Sequence, residues 1–590
     1  MKARRAFRSA AGAYLSAICF LWVAAAQASD LWIFTRIAKL RAGDGPQDDR
    51  AVLKGVFDVV PPDDGFDPVA QGVTIELAGQ AFSLPPGAFV RVGDHDRWKL
   101  PRGTGEQVRA AVFDLERRLF RFRLAEIDLP ADLTEPLSLS VTVGNDTGRD
   151  AFSCTTKNGV AYRCTQAGSW TDPFDLPLVG IHGALLRTGK VLYWSYPQDG
   201  VGAEAWLFDP STQALTEVPV DRDVFCGGHS FLDDGRLLVT SGTDDEFTGD
   251  CCAGLRDTHI FDPATETWTR VEDLAAGRWY PTNVTLGDGR VLVFSGLDET
   301  AESNPTVELY TPGSGWSLVA GADRHLALYP FLFLLPTGEI FHAGPEETSA
   351  WFDPATATWA PGPVKARAHY DGTSVLLPGL ERILVAGGGK PAEILDLGDP
   401  SPVWRETKKR LRRPRHTNSV LLPDGNVLLV GGGRGNVLFH PPTETWVPLA
   451  RLGKPRRYHS TALLLPDGRV IAAGTDGNRT AEIFSPPYLF RGPRPEITSA
   501  PATISYGTVF SVSTPDPSPI RRVALVRPSA VTHSFNQDQR YVELSFSVAG
   551  GGIEAQAPAD GNEAPPGYYL LFLVDDLGVP SEGTFVRLIP

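Results

Sequence analysis

Leu232–Val239 reads LDDGRLLV, Leu286–Val293 LGDGRVLV, Leu422–Leu429 LPDGNVLL and Leu465–Ala472 LPDGRVIA. Each stretch turns on Asp-Gly and then enters a short apolar run. Asp-Gly is a strong hairpin signal, because the reversal needs a residue that tolerates positive φ. Three more copies turn at Gly189, Gly338 and Gly379, so with Gly235, Gly289, Gly425 and Gly468 the turns are spaced by 46, 54, 49, 41, 46 and 43 residues. A unit of that length holds about four short strands, and a regular array of such units is the signature of a radial β architecture. Most copies continue into an aromatic-x-Pro corner, as at Phe208-Asp209-Pro210, Phe261-Asp262-Pro263 and Phe352-Asp353-Pro354, often with a Trp beyond it (Trp268, Trp359, Trp446).

The repeat resembles a kelch motif. The expected fold is all-β: a seven-bladed kelch-type β-propeller over residues 165–487, with further β domains on either side. Residues 30–160 carry strand-like runs (LKGVFDVV, GVTIELAG, LFRFRLAEI, LSLSVTV) and form an N-terminal β-rich domain. After the Pro-rich PPYLFRGPRPEI, residues 494–590 alternate again (VALVRP, YVELSFSV) and predict a C-terminal β-sandwich. Sixty Gly and 49 Pro in 590 residues fit many short strands joined by turns.

The formal charge of -15, with no basic stripe to balance it, argues against nucleic acid as a partner. Residues 1–28 read as an export signal. Lys2, Arg4, Arg5 and Arg8 precede an apolar stretch from Ala10 to Ala26, and Ala26-Gln27-Ala28 offers a small-x-small cleavage site. The expected location is secreted or periplasmic, with membrane attachment only if that segment stays uncleaved. Five cysteines follow it. Cys154 and Cys164 flank Asn158-Gly159 and are placed for a bridge across a hairpin; Cys251 and Cys252 either form a vicinal disulfide or stay free. Cys226 is left over.

Four stretches stand out: VFCGGHSFL around Cys226, GRWYPTNV around Tyr280, RRYHSTALL around Tyr458 and His459, and VTHSFNQDQR around His533. Here the sequence resembles the galactose oxidase and glyoxal oxidase family of copper-radical enzymes, as does the closing PPGYYLLFLVDDLGVPSEG. The resemblance implies that one copper ion is bound by His459, His533 and Tyr280 in a plane and by Tyr458 axially. It implies a thioether joining Tyr280 to Cys226, and Tyr458 as the base that takes the substrate's hydroxyl proton. It also implies that the sandwich domain sends its His ligand up the propeller channel. Cys226-Gly227-Gly228 and Arg278–Thr282 look closer to the glyoxal oxidase branch.

These residue types suit the chemistry in their own right. Two imidazoles and phenolate oxygen in a tetragonal array match Cu(II). Alcohol oxidation removes two electrons while copper accepts one, so a second one-electron centre is needed, and a sulfur-substituted phenol ring can serve. The implied activity is oxidation of small aldehydes or primary alcohols, with O₂ reduced to hydrogen peroxide, by a monomer. A non-catalytic kelch propeller binding a glycan or protein partner is the alternative, and a copper store a second. Tyr329, His369, Tyr370 and His416 recur at equivalent repeat positions, either as pocket lining or as repeat structure. Trp279 is expected to face away from Tyr280, because neighbours on a strand point to opposite faces. The ring that stacks on Tyr280 is thereby left unassigned.

Overall fold

The structure is a computed structural model that describes residues 31–41, 49–59, 66–93, 96–101, 103–104, 107–127, 129, 137–144, 146–152, 154–157, 161–164, 167–196, 203–244, 252–407 and 414–590. The expected export signal, the Asn158-Gly159 turn and Cys251 lie outside the described residues. Seven antiparallel sheets follow one another between Ser169 and Ser485 among those described. Their turn glycines, Gly189, Gly235, Gly289, Gly338, Gly379, Gly425 and Gly468, all have φ between 80° and 90°. This is the left-handed backbone that the repeated turn demands.

Most of the sheets run from a buried strand to an exposed one, the outer Thr445–Pro448, which stays largely buried, being the exception. Every residue of Gly228–Phe231 is buried, as is every residue of Leu237–Thr240, whereas the outer Thr267–Arg270 is mostly exposed. Inner strands are covered on both faces, which is why they read as unbroken apolar runs. The recurring Trp has a physical reason. Its indole N–H donates back to the preceding repeat: Trp268 to Val218 O at 2.9 Å, Trp359 to Ala322 O at 2.8 Å, Trp446 to Thr407 Oγ1 at 3.1 Å. One large ring thus covers a sheet edge and satisfies its polar atom at once.

The last of the seven sheets joins Ser460–Leu464, Val470–Gly474 and Thr480–Ser485 to Ser169–Trp170 and Phe174–Asp175 from the far end of the array. The first has an unexpected guest. Ala530–Thr532 of the C-terminal domain pairs with His182–Leu185, so a hairpin of that domain extends a propeller sheet. Gln537 beyond it accepts N–H bonds from His229 at 3.2 Å and Asn283 at 3.1 Å. Asp538 accepts one from Phe231 at 2.5 Å and pairs with Arg527 at 3.0 Å, both side chains being fully buried. Breaking a buried pair strands a charge, so Asp538→Ala is expected to cost about 3–5 kcal/mol. Urea unfolding would measure it, and a cost under about 1 kcal/mol, the level of a surface pair, would show that the pair does not anchor the domain.

The rest of the C-terminal domain consists of a five-stranded and a three-stranded sheet. Residues 31–164 form an eight-stranded and a four-stranded sheet around their own apolar core. That domain leans on its neighbours through Trp32, stacked on His440 at 4.2 Å, and through Arg118, which donates to Thr443 and Thr445. Within it, Cys154 and Cys164 face each other across paired strands. Cys252 is disulfide-bonded and Cys226 is free. Among the described residues no helix is long and apolar enough to cross a membrane.

Candidate metal centre

The site residues share one place in the repeat: Cys226, Tyr280 and His459 each come just before an innermost strand (Gly228–Phe231, Thr282–Thr285 and Ser460–Leu464). They are therefore brought to one face of the ring. His533 reaches them on the tip of the inserted hairpin, between Ala530–Thr532 and Phe535–Asn536. Four of the five lie in the left-handed region, with φ of 66° at Cys226, 69° at Tyr280, 59° at His459 and 47° at His533. Non-glycine residues held there cost of order 1–3 kcal/mol each and persist only where the surroundings fix them.

The surroundings do fix them. Arg278, two residues before Tyr280, is fully buried and donates to Glu308 at 3.0 Å, Ser295 O at 3.0 Å and Thr306 Oγ1 at 2.8 Å. Arg456, two residues before Tyr458, repeats the device with Glu482 at 3.0 Å and Gly474 O at 2.9 Å. Tyr280 N–H donates to Cys226 O at 3.0 Å, and Tyr329 N–H to Tyr280 O at 2.8 Å, tying three entry turns together.

The functional atoms converge. Tyr280 Oη and Tyr458 Oη are 2.6 Å apart. The Tyr280 ring lies 4.5 Å from the His533 ring, Tyr458 lies 3.9 Å from His459, and the two imidazoles are 4.8 Å apart and perpendicular. His459 Nδ1 is 2.5 Å from Asp476 Oδ1 and His533 Nδ1 2.6 Å from Thr532 Oγ1. With Nδ1 so engaged, Nε2 of each ring is left for a ligand. Both Nε2 atoms are shut off from solvent and meet no hydrogen-bond partner. Two orphaned imidazole nitrogens beside two phenol oxygens are the donor set that copper accepts. Among the described residues no trio of His, Cys, Asp or Glu could hold a metal ion.

Burial lowers the pKa of both histidines, that of His459 against the pull of Asp476, which favours neutral ligating imidazole. Burial raises both phenols, Tyr280 further through its neighbours Cys226 and Tyr458. A cation at this point would act in the opposite sense on both. Cys226 is fully buried in one cluster with Tyr280 and Tyr329, and burial pushes its thiol up.

One expectation is overturned. Trp279 does not face away from Tyr280: the rings stack at 3.6 Å with planes 8° apart. The alternation argument fails because Tyr280 is not in an extended strand, and its positive φ swings both side chains to one side. Tyr329 covers the other face of the ring at 4.5 Å, and its hydroxyl donates to Gly227 O at 3.2 Å. His416 stands 5.1 Å from the Tyr458 ring. His369 does not reach the site; it is buried and bound to Glu393 at 2.8 Å. Tyr370 is 56% exposed. Beneath the site lie His182 and His229, neither noticed in the sequence. His182 Nε2 accepts the Cys226 N–H at 3.0 Å, and its ring stacks on Trp194 at 4.8 Å.

A family model described as Glyoxal oxidase N-terminus matches residues 196–378, and one described as Galactose oxidase-like, Early set domain matches residues 494–588. In both stretches the chain is similar to the galactose oxidase and glyoxal oxidase family. Over 498 residues it is 29% identical to a galactose oxidase of Gibberella zeae, covering 71% of this chain and 70% of the relative. It is 28% identical to Aldehyde oxidase GLOX of Vitis pseudoreticulata, over 66% of this chain and 86% of that one. A solved fungal alcohol oxidase in complex with copper superposes with a TM-score of 0.64 at 25% identity, covering 72% of this chain and all of the other. The family's copper centre is the group against which the donor set above fits.

Proposed function

We propose that His459, His533, Tyr280 and Tyr458 hold one copper ion, that Cys226 is joined to Tyr280, and that the protein oxidises small aldehydes or primary alcohols with O₂. The carrying observation is the pair of orphaned Nε2 atoms beside two phenol oxygens 2.6 Å apart, with a buried free thiol packed on one of the phenols. The balance is RCH₂OH + O₂ → RCHO + H₂O₂, and an aldehyde reacting as its hydrate gives the acid with the same peroxide. When bound, copper supplies one of the two one-electron acceptors and binds the substrate oxygen.

The chain's own residues do the rest. Tyr280, held between Trp279 and Tyr329 out of bulk water, would accept the second electron once its ring has been oxidised by one electron, and the stacked rings would share the unpaired electron of that oxidised form. Tyr458 is only half-buried, so it faces the side from which substrate arrives and can take the hydroxyl proton. Asp476 and Thr532 orient the imidazoles. The blocks around Cys226 and Tyr280 favour the glyoxal oxidase branch, and the leading segment agrees with export.

Copper-loaded protein, treated with a mild one-electron oxidant, is expected to release one peroxide per substrate from glyoxal-like aldehydes, galactose or simple primary alcohols. A chelator should abolish the activity. Copper bound at one per chain with no peroxide from any of these substrates would overturn the oxidase reading.

A further inference from the structure

Beside the candidate centre is an open cleft of about 340 Å³ lined by Glu347, Arg367, Tyr370, Asp371, Lys390 and Arg415. Asp371 and His416 link its wall to Tyr458. Asp371 O accepts the His416 N–H at 2.6 Å, Asp371 Oδ1 lies 3.8 Å from His416 Nδ1, and the His416 ring lies 5.1 Å from Tyr458. Two of the three cations are poorly answered. Arg367 bonds Glu406 at 2.8 Å, but Arg415 is 69% exposed with Asp371 no nearer than 3.9 Å. No described acid lies in ion-pair range of Lys390.

The backbone brings these two cations together. Gly389, next to Lys390, donates its N–H to Pro414 O at 2.9 Å, and Arg415 Nε lies 3.2 Å from where a Gly389 side chain would begin. In a chain whose formal charge is -15, Arg415 follows the basic run KKRLRR of residues 408–413, and with Lys390 it gives the cleft two cations that a carboxylate can answer. Tyr370 adds an exposed ring to the lining of the same cleft.

We propose that Lys390 and Arg415 form an anion subsite, so that the preferred substrate is an aldehyde or alcohol bearing a carboxylate several bonds from the reacting carbon. This rests on the oxidase reading above. The reacting end would sit at Tyr458, the carbon chain would pass His416 and Tyr370, and the carboxylate would meet Lys390 and Arg415. Both side chains are specificity determinants and take no part in electron or proton transfer.

The decisive comparison is succinic semialdehyde against its methyl ester, which lacks the negative charge and adds one methyl group. At low salt the acid is expected to show a KM about tenfold below the ester, and the advantage should shrink as sodium chloride is raised. Lys390→Gln with Arg415→Gln should raise KM for the acid about tenfold, leaving kcat and the ester's KM unchanged. Arg415→Lys in place of Arg415→Gln should recover part of the loss. Calorimetry with succinate on copper-free protein should detect binding in the wild type and none in the double variant. Equal KM values for acid and ester, or succinate binding that survives the double substitution, would overturn the subsite. If neither aldehyde yields peroxide while galactose or a simple primary alcohol does, the subsite is overturned; if no substrate yields peroxide the oxidase reading fails, and the succinate titration still judges the cleft by itself.

Discussion

Copper-treated protein, denatured and fully reduced, is expected to run faster on a gel than the same chain kept metal-free. Joining Cys226 to Tyr280 closes the intervening chain into a loop, and a thioether, unlike a disulfide, survives thiol reductants. The two residues are already in one cluster, with Tyr280 N–H bonded to Cys226 O at 3.0 Å. Forming the bond removes one hydrogen from sulfur and one from the ring, with O₂ and copper as the oxidant. The linked peptides should therefore be lighter by two hydrogens. Cys226→Ser should abolish the shift and lower kcat roughly a thousandfold, about 4 kcal/mol of barrier, while copper still binds. A free Cys226 thiol in an active, copper-loaded preparation would refute the cross-link.

The second large effect concerns His533. His533→Ala removes one of two imidazoles and should weaken copper binding by about a hundredfold or more, beyond the effect of losing an orienting partner. Asp476→Ala, which removes only such a partner, should cost about 10–100-fold. Equilibrium competition with a chelator would read both, and copper bound as tightly as by wild type would take His533 out of the site. Deleting residues 494–590 should also lose copper and activity, but it is the poorer test. Ala530–Thr532 is a strand of a propeller sheet, and Gln537 satisfies backbone donors on two inner strands. The deletion would thus strip the propeller as well as the site.

Much of this was legible in the residues. Gly at the turns and Trp on the outer strands mark the repeat because each answers a fixed local demand, positive φ in one case and an edge needing both cover and a donor in the other. The five site residues stood out because their local contexts together resemble those of the copper-radical oxidases, even though Tyr280, Tyr458 and His459 occupy places that other repeats fill in a similar way. What escaped the reading depends on backbone shape or on distant partners. Period-two reasoning sends Trp279 away from Tyr280, and only the left-handed turn at Tyr280 reverses that. The buried pairs of Arg278 with Glu308 and Arg456 with Glu482 join residues about 30 and 26 positions apart, with no periodic signal to connect them. The hairpin carrying His533 alternates like any other strand pair, so nothing in it announces that its partner is His182–Leu185.

That hairpin also sets an order of events during synthesis. Chains emerge N-terminus first and domains fold as units as they appear. Five sheets, from Gly228–Phe231 through Thr445–Pro448, contain only strands close together in sequence and can form as they leave the ribosome. The sheet containing Ser169–Trp170 must wait for Thr480–Ser485, and the one containing His182–Leu185 is extended only when Ala530–Thr532 arrives. Cys226 and Tyr280 are in place long before His533. An unfinished or truncated chain therefore offers a metal one imidazole rather than two, and redox chemistry at the ring is withheld until the protein is nearly complete.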